Sequence, residues 1–252
     1  MLLAGGARRR PLFGADVIGA DLRAADLTDA DLNRANLNRA YLTGANLTAA
    51  NLRAANLNRA NLTGADLTDA DLRAANLSGA NLDGANLGGA NLNRANLGGA
   101  NLTGADLTNA HLRGAHLTGA ILHVADLTGA ILHVADLTGA DLHGANLTGA
   151  DLHGANLTGA DLHGANLTDA NLTDANLTDA NLTDVLGLEY LTGSYLRGAD
   201  LVDVTWSERT RWPDAVAAVM RERSVPIGGG KYRVQGSGNT GADVSVPQVP
   251  VP

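Results

Sequence analysis

Ala15-Asp16-Val17-Ile18-Gly19, Ala20-Asp21-Leu22-Arg23-Ala24 and Ala25-Asp26-Leu27-Thr28-Asp29 open a five-residue phrase that runs without a gap to Ala180-Asn181-Leu182-Thr183-Asp184. Its apolar middle position recurs from Val17 to Leu182 in 34 copies and is Leu in all but the first. The residue two before it is always Ala, and the residue between them is usually Asp or Asn. Self-similarity at a short fixed period is the mark of a repeat architecture and takes precedence over local propensity. A helix of 3.6 residues per turn would smear these Leu around every side. A flat strand of period two would send successive Leu to alternate faces. Five fits a chain that turns one corner per unit and coils into a solenoid. Ala and Leu, two apart, then share the inner side while the residue between them points away. The last two positions, rich in Gly, Asp, Asn and Thr, suit the corners.

Tandem A(D/N)LXX over about two-thirds of the chain resembles the pentapeptide-repeat proteins. That resemblance implies an all-β solenoid: a right-handed, quadrilateral parallel β-helix with four units per coil, Leu at the centre of each side and Ala packed beside it. Residues twenty apart then stack at about 4.8 Å, so the 170 residues of the repeat make about 8.5 coils and a rod of roughly 41 Å. No unit can hide its own Leu, so stability must come from stacking neighbours.

The organisation that follows is a lead-in over 1–14, the β-helix over 15–184, an irregular last coil over 185–208, a C-terminal helix and short strand over 209–235, and a disordered tail over 236–252. Phe13, the only phenylalanine, either covers the open end of the Leu stack or belongs to a frayed terminus. After Asp184 the register slips through Val185-Leu186-Gly187-Leu188-Glu189, and Leu191, Leu196, Leu201 and Trp206 resume the step. Thr210-Arg211-Trp212-Pro213-Asp214 is a helix entry, with Pro in the first turn and an acid behind it. The helix is expected from Pro213 to about Arg223, with Val216, Val219 and Met220 on one face. Trp206, Trp212, Val216, Val219 and Met220 are the candidate cap or dimer residues. Lys231-Tyr232-Arg233-Val234 is a candidate strand.

Cysteine is absent, which removes disulfides, thiol nucleophiles and thiolate ligands. Neither a secretory signal nor a membrane span is legible, so a soluble, cytoplasmic protein is expected. The net charge of −8 argues against a direct nucleic-acid binder, which would show a basic face. No catalytic constellation is present in the motifs: Gly228-Gly229-Gly230-Lys231 lacks the spacing and the Ser/Thr of a phosphate loop. The reading is of a protein without enzymatic activity, cofactor or metal.

Charge divides the rod lengthwise. Ala15–Arg113 holds ten Asp and eight Arg, whereas Gly114–Leu188 holds nine Asp and no Lys or Arg. The second stretch therefore carries about one charge per 2 Å of axis, close to the one per ~1.7 Å of duplex DNA. Charge also divides by side. The Leu32/Leu52 side carries Arg34, Arg53, Arg73, Arg94 and Arg113, whereas the Leu27/Leu47 side carries Asp and no Arg. His123, His143 and His163 form one vertical ladder and His133 and His153 another, on opposite sides; either they titrate or hold a metal, or ten-residue duplication alone has placed them. Ile121, Val124, Ile131 and Val134 are outward aliphatics that mark a contact patch. The stacked Thr column has Asp and Asn beside it and does not resemble a paired ice-binding surface.

Two functions compete. One is an interaction rod or scaffold for an unspecified protein. The other follows from the family resemblance, since some members mimic DNA and bind type II topoisomerases such as gyrase, inhibiting or shielding the enzyme. In those members a C-terminal module pairs two rods into a dimer. The partner-binding candidates are Asp126, Asp136, Asp141, Asp151, Asp161, Asp169, Asp174, Asp179 and Asp184; their charge is required under the DNA-mimic reading and need not matter under the scaffold one.

Overall fold

The computed structural model describes residues 12–188 and 201–235. Parallel bridges join each residue before a Leu to the residue twenty further on, from Asp16↔Asn36 to Asp161↔Asn181. Twenty residues are four units, so the coil has four sides, named here for Leu22, Leu27, Leu32 and Leu37. Every Leu from Leu32 to Leu182 has no exposed surface, and the Ala beside it has almost none. At about 1.5–3 kcal/mol per buried Leu, this interior column is the main stabilising term.

One unit shows how the backbone is satisfied. Ala45 N–H donates to Leu42 O (2.9 Å), Asn46 N–H to Ala25 O (2.9 Å), Leu47 N–H to Asp66 O (2.6 Å) and Ala49 N–H to Thr68 O (2.9 Å). The fifth donor, Thr48 N–H, goes to the Asn46 side-chain Oδ1 at 3.0 Å. Four donors thus find backbone and the fifth finds the Asp or Asn two residues earlier, an Asx turn. The middle position is therefore polar for a reason beyond facing water: it completes the hydrogen bonding of the corner.

Each corner ends on a residue of positive φ. Gly fills many of these positions, but Asp, Arg, Ala and Asn fill others, and Val124 (φ 50°) and Val134 (φ 53°) are β-branched. The left-handed region costs L-residues about 1–2 kcal/mol, so these two valines are strained.

At the N-terminal end Leu12, Val17 and Leu22 pack partly on the core, while Phe13 is 57% exposed. Phe13 does not cover the Leu stack among the described residues, because it occupies an outward corner. The rest of the lead-in, Leu191, Leu196 and the tail from residue 236 lie outside the described residues. At the other end Leu186 takes the bridge position opposite Asn166, and Gly187 follows in the place of a Leu. A Cβ on Gly187 would lie 2.5 Å from Thr168 N.

From Leu201 the chain again lies on the solenoid. Asp174 N–H donates to Val202 O at 2.9 Å, and Thr205 and Arg211 bridge to Asn176 and Asn181. Strand β1 (Thr205–Ser207) belongs to this coil and also to an antiparallel sheet with β2 (Ser224–Gly228) and β3 (Lys231–Val234), in the order β1-β3-β2. Helix α1 (Asp214–Glu222) lies between β1 and β2 in sequence, with Asp214 in its first turn and Arg221 in its last, where each suits the helix dipole.

Candidate interaction surfaces

The nine acidic candidates fall into two structural classes. Asp126, Asp136, Asp141, Asp151 and Asp161 occupy bridge positions and are half-buried. Each accepts the N–H two residues on, for example Asp151 from His153 at 3.1 Å and Asp161 from His163 at 3.0 Å. They do more than face water, because the corner needs their oxygens. Burial pushes the Asp136 carboxyl up, but hydrogen bonds from Thr138 and Thr118 and the nearby His116 outweigh it and hold the group below the usual carboxylate range. Asp169, Asp174, Asp179 and Asp184 instead sit at corners with φ of 57°, 59°, 61° and 57°, and are exposed.

These acids are spread over all four sides. Asp141, Asp161 and Asp184 lie on the Leu22 side, Asp126 and Asp169 on the Leu27 side, Asp151 and Asp174 on the Leu32 side, and Asp136 and Asp179 on the Leu37 side. Asp179 is engaged by the C-terminal element, accepting the Ser207 hydroxyl at 2.6 Å with Arg209 at 3.8 Å.

The His ladders are real stacks. Ring centroids are 5.0 Å apart for His123–His143, 4.9 Å for His143–His163 and 4.8 Å for His133–His153. His163 Nδ1 contacts the Thr183 hydroxyl at 2.9 Å, and His153 Nε2 lies 3.5 Å from Asp174. Among the described residues no three His, Cys, Asp or Glu converge as a metal site. The Thr hydroxyls mostly bond back to their own Asp or Asn, as Thr48 does to Asn46 at 2.7 Å.

The outward aliphatics do not form one patch. Ile121 and Val124 lie on the Leu22 side, and Ile131 and Val134 on the Leu32 side opposite, because ten residues are half a coil. Val134 is 51% exposed and ends a trough of about 840 Å³ along the Leu32 side, lined by Arg34, Arg53, Arg73, Arg94 and Arg113. Five consecutive coils thus supply one Arg each. Arg73 pairs with Asp71; the other four make no ion pair among the described residues.

Of the C-terminal candidates, Trp206, Trp212, Val216 and Met220 are buried in the same cluster as the solenoid Leu, while Val219 is half-buried. Trp206 stacks on Tyr232 at 4.6 Å, meets Trp212 edge-on at 6.0 Å and donates from Nε1 to the Ser224 hydroxyl at 2.9 Å. No helix among the described residues is long and apolar enough to cross a membrane.

The one-sided Arg row was legible in the sequence; the Asx turn was missed. The Asp or Asn two residues before each corner was the available signal.

The profile of the family described as pentapeptide repeats matches over residues 12–44, 45–84, 70–109, 95–133, 105–144 and 145–184. No curated protein matches the chain. Among solved structures, the chain is similar to HetL, a pentapeptide repeat protein involved in heterocyst differentiation regulation in the cyanobacterium Nostoc, with 39% identity over 78% of this chain and 91% of that one (TM-score 0.48). It is similar to a pentapeptide repeat protein of the Arabidopsis thaliana thylakoid lumen at 39% identity, over 40% of this chain and 66% of that one (TM-score 0.27). A trypsin-treated form of QnrB1, a plasmid-mediated fluoroquinolone resistance protein, aligns at 19% identity over 82% of this chain and 94% of that one (TM-score 0.41). With residues 12–184, well over half of its length, matched by the repeat profile, the chain belongs to the pentapeptide-repeat family, whose β-helix is right-handed.

Proposed function

We propose that this chain is a non-enzymatic interaction rod of the cytoplasm, a β-helix that presents fixed outward side chains to another protein. The observation that carries this reading is the rigidity of the display. Outward residues are held by interstrand bonds and Asx turns at a constant pitch, so a partner spends little free energy on ordering this surface. The aromatic cluster around Trp206 and Trp212, with α1, is the cap that closes the C-terminal end. The test is affinity capture followed by titration of the captured protein against the triple variant Asp169→Asn, Asp174→Asn, Asp184→Asn. A loss of roughly tenfold or more in affinity is expected if charged corners carry the contact; a proteome-wide failure to capture any saturable partner would end the proposal.

A second reading is a DNA mimic acting on a type II topoisomerase. It is favoured by one observation: nine Asp on all four sides of the stretch 114–188, with no Lys or Arg among them. A gyrase supercoiling assay tests it. Inhibition that weakens steeply with salt is expected; no effect across the titration with folded protein rejects it.

A further inference from the structure

We propose that the Leu32 side is a self-complementary surface through which two copies of this chain pack side by side and antiparallel. The side carries a sign sequence. Five consecutive coils bear Arg34, Arg53, Arg73, Arg94 and Arg113. The next coil bears only His133 and the aliphatics Ile131 and Val134, and the following two bear Asp151 and Asp174. The third comes from the C-terminal segment. Val202 O takes the Asp174 N–H as the coil above would, and Asp203, at φ 57°, is the corner over Asp174.

A twofold axis across the Val134 coil, lying in the contact plane, reverses the rod and keeps each column facing itself. Val134 then meets Val134. One coil out, Arg113 meets the rung of Asp151. Two coils out, Arg94 meets Asp174, corner on corner. Three coils out, Arg73 meets the rung of Asp203, although Asp71 already neutralises Arg73 within its own chain. Both halves of the contact are answered, as an isologous interface requires. The opposite Leu22 side has Asp141, Asp161 and Asp184 above its aliphatic coil, but its Arg lie at the two ends: Arg23, five coils below that coil and paired with Asp21, and Arg211, over Asn181 on the same half as the three Asp. A heterologous contact would leave half of the charges unanswered.

The pitch argues for the same occupant. A ladder of one charge per coil repeats at about 4.8 Å, whereas an extended peptide presents same-face side chains every ~6.8 Å. A second copy of the solenoid stays in step, and its charges run in the complementary order once it is reversed. The strained, exposed Val134 at the centre is also accounted for, since Gly fills the corners above and below it, Gly154 and Gly114. Seven coils by one side make a contact of roughly 34 by 10 Å per copy, or about 700 Å² in all, in the class of weak, transient interfaces.

Sedimentation equilibrium of the full chain is the test, at salt of about 50 mM and about 500 mM to span the screening range. A reversible dimer that weakens with salt is expected. Arg94→Asp and Asp174→Arg should each abolish it, and the two combined in one chain should restore it, because both pairs are rebuilt in reverse. The chain already holds Asp169 and Arg34 at equivalent corners, so both swaps keep the fold; circular dichroism verifies this. A monomer at both salts and roughly 0.5 mM protein, well above the range of specific complexes, overturns the proposal. So does a dimer indifferent to either swap, or a folded double variant that stays monomeric.

Discussion

Asn181 donates from Nδ2 to Asp161 Oδ1 at 2.7 Å, one coil below, while the same oxygen accepts the His163 N–H at 3.0 Å. A single carboxylate oxygen thus closes its own corner and ties it to the next coil. Asp161→Asn keeps an oxygen in place and should change stability little. Asp161→Ala leaves two part-buried donors without an acceptor and should cost about 1–3 kcal/mol. Urea unfolding of the two variants checks the difference; equal midpoints would mean that the Asx oxygen is replaceable by water.

Val124 and Val134 give a prediction of opposite sign. Val124→Gly and Val134→Gly relieve left-handed strain and should each stabilise the monomer by about 1 kcal/mol. The reverse change, Gly144→Val, puts a side chain at φ 64° with its Cβ 3.3 Å from Val124 Cγ1, and should destabilise. Thermal melts of the three variants decide it, and Val134→Gly should weaken self-association as it strengthens the fold.

Acid should loosen the rod within a defined window. The Thr68 hydroxyl bond lowers Asp66, the Arg73 side chain lowers Asp71, and Asp136 is lowered despite its burial. Because these folded values lie below the unfolded ones, the stabilisation is complete above the ordinary carboxylate value of 3.8 and is lost as pH falls through the folded values. Stability followed from pH 5 to pH 2 should fall only in the lower part of that range, and the triple change to Asn at these positions should flatten the fall. A flat profile in the parent chain contradicts the assignment.

Thr210 is the local tie of the C-terminal element. Its buried hydroxyl donates to Leu177 O at 2.7 Å and accepts the Ser207 N–H at 3.0 Å. Thr210→Val removes both bonds at nearly constant volume and should cost about 1–3 kcal/mol. Hydrogen exchange should report the loss first in the coil around Leu177 and last near Leu97, since a solenoid unfolds from its ends.

The solenoid was legible because its period is incompatible with helix and strand and because Leu never leaves its place between Leu22 and Leu182. Side membership was legible too, since twenty-residue spacing follows once four units make a coil. What escaped was the return of the chain. Leu201 and Trp206 were counted as steps continuing from Leu191 and Leu196, yet Thr205 bridges Asn176 across 29 residues where a regular coil has twenty, and Val202 O accepts the Asp174 N–H across 28 where a regular coil has 19. Nine extra residues between one coil and the next leave Leu201 and Trp206 in step with Leu191 and Leu196 in the sequence and change only which unit lies beneath them, so no periodicity reveals it. The aliphatic patch failed for a related reason: adjacency in sequence was taken for adjacency on the surface.

The half-coil offset of the duplicated blocks has a consequence for valency. Residues 121–130 recur at 131–140, and 141–150 at 151–160, and each copy emerges on the wall opposite its original. A chain that lengthens by ten residues therefore prints every new motif twice, back to back, across a rigid core. Any ligand that grips one His-bearing wall between residues 121 and 160 meets an equivalent wall on the far side, which makes the segment bivalent without a second polypeptide. Two binding modules joined by a linker would then gain avidity only if that linker could reach around the rod.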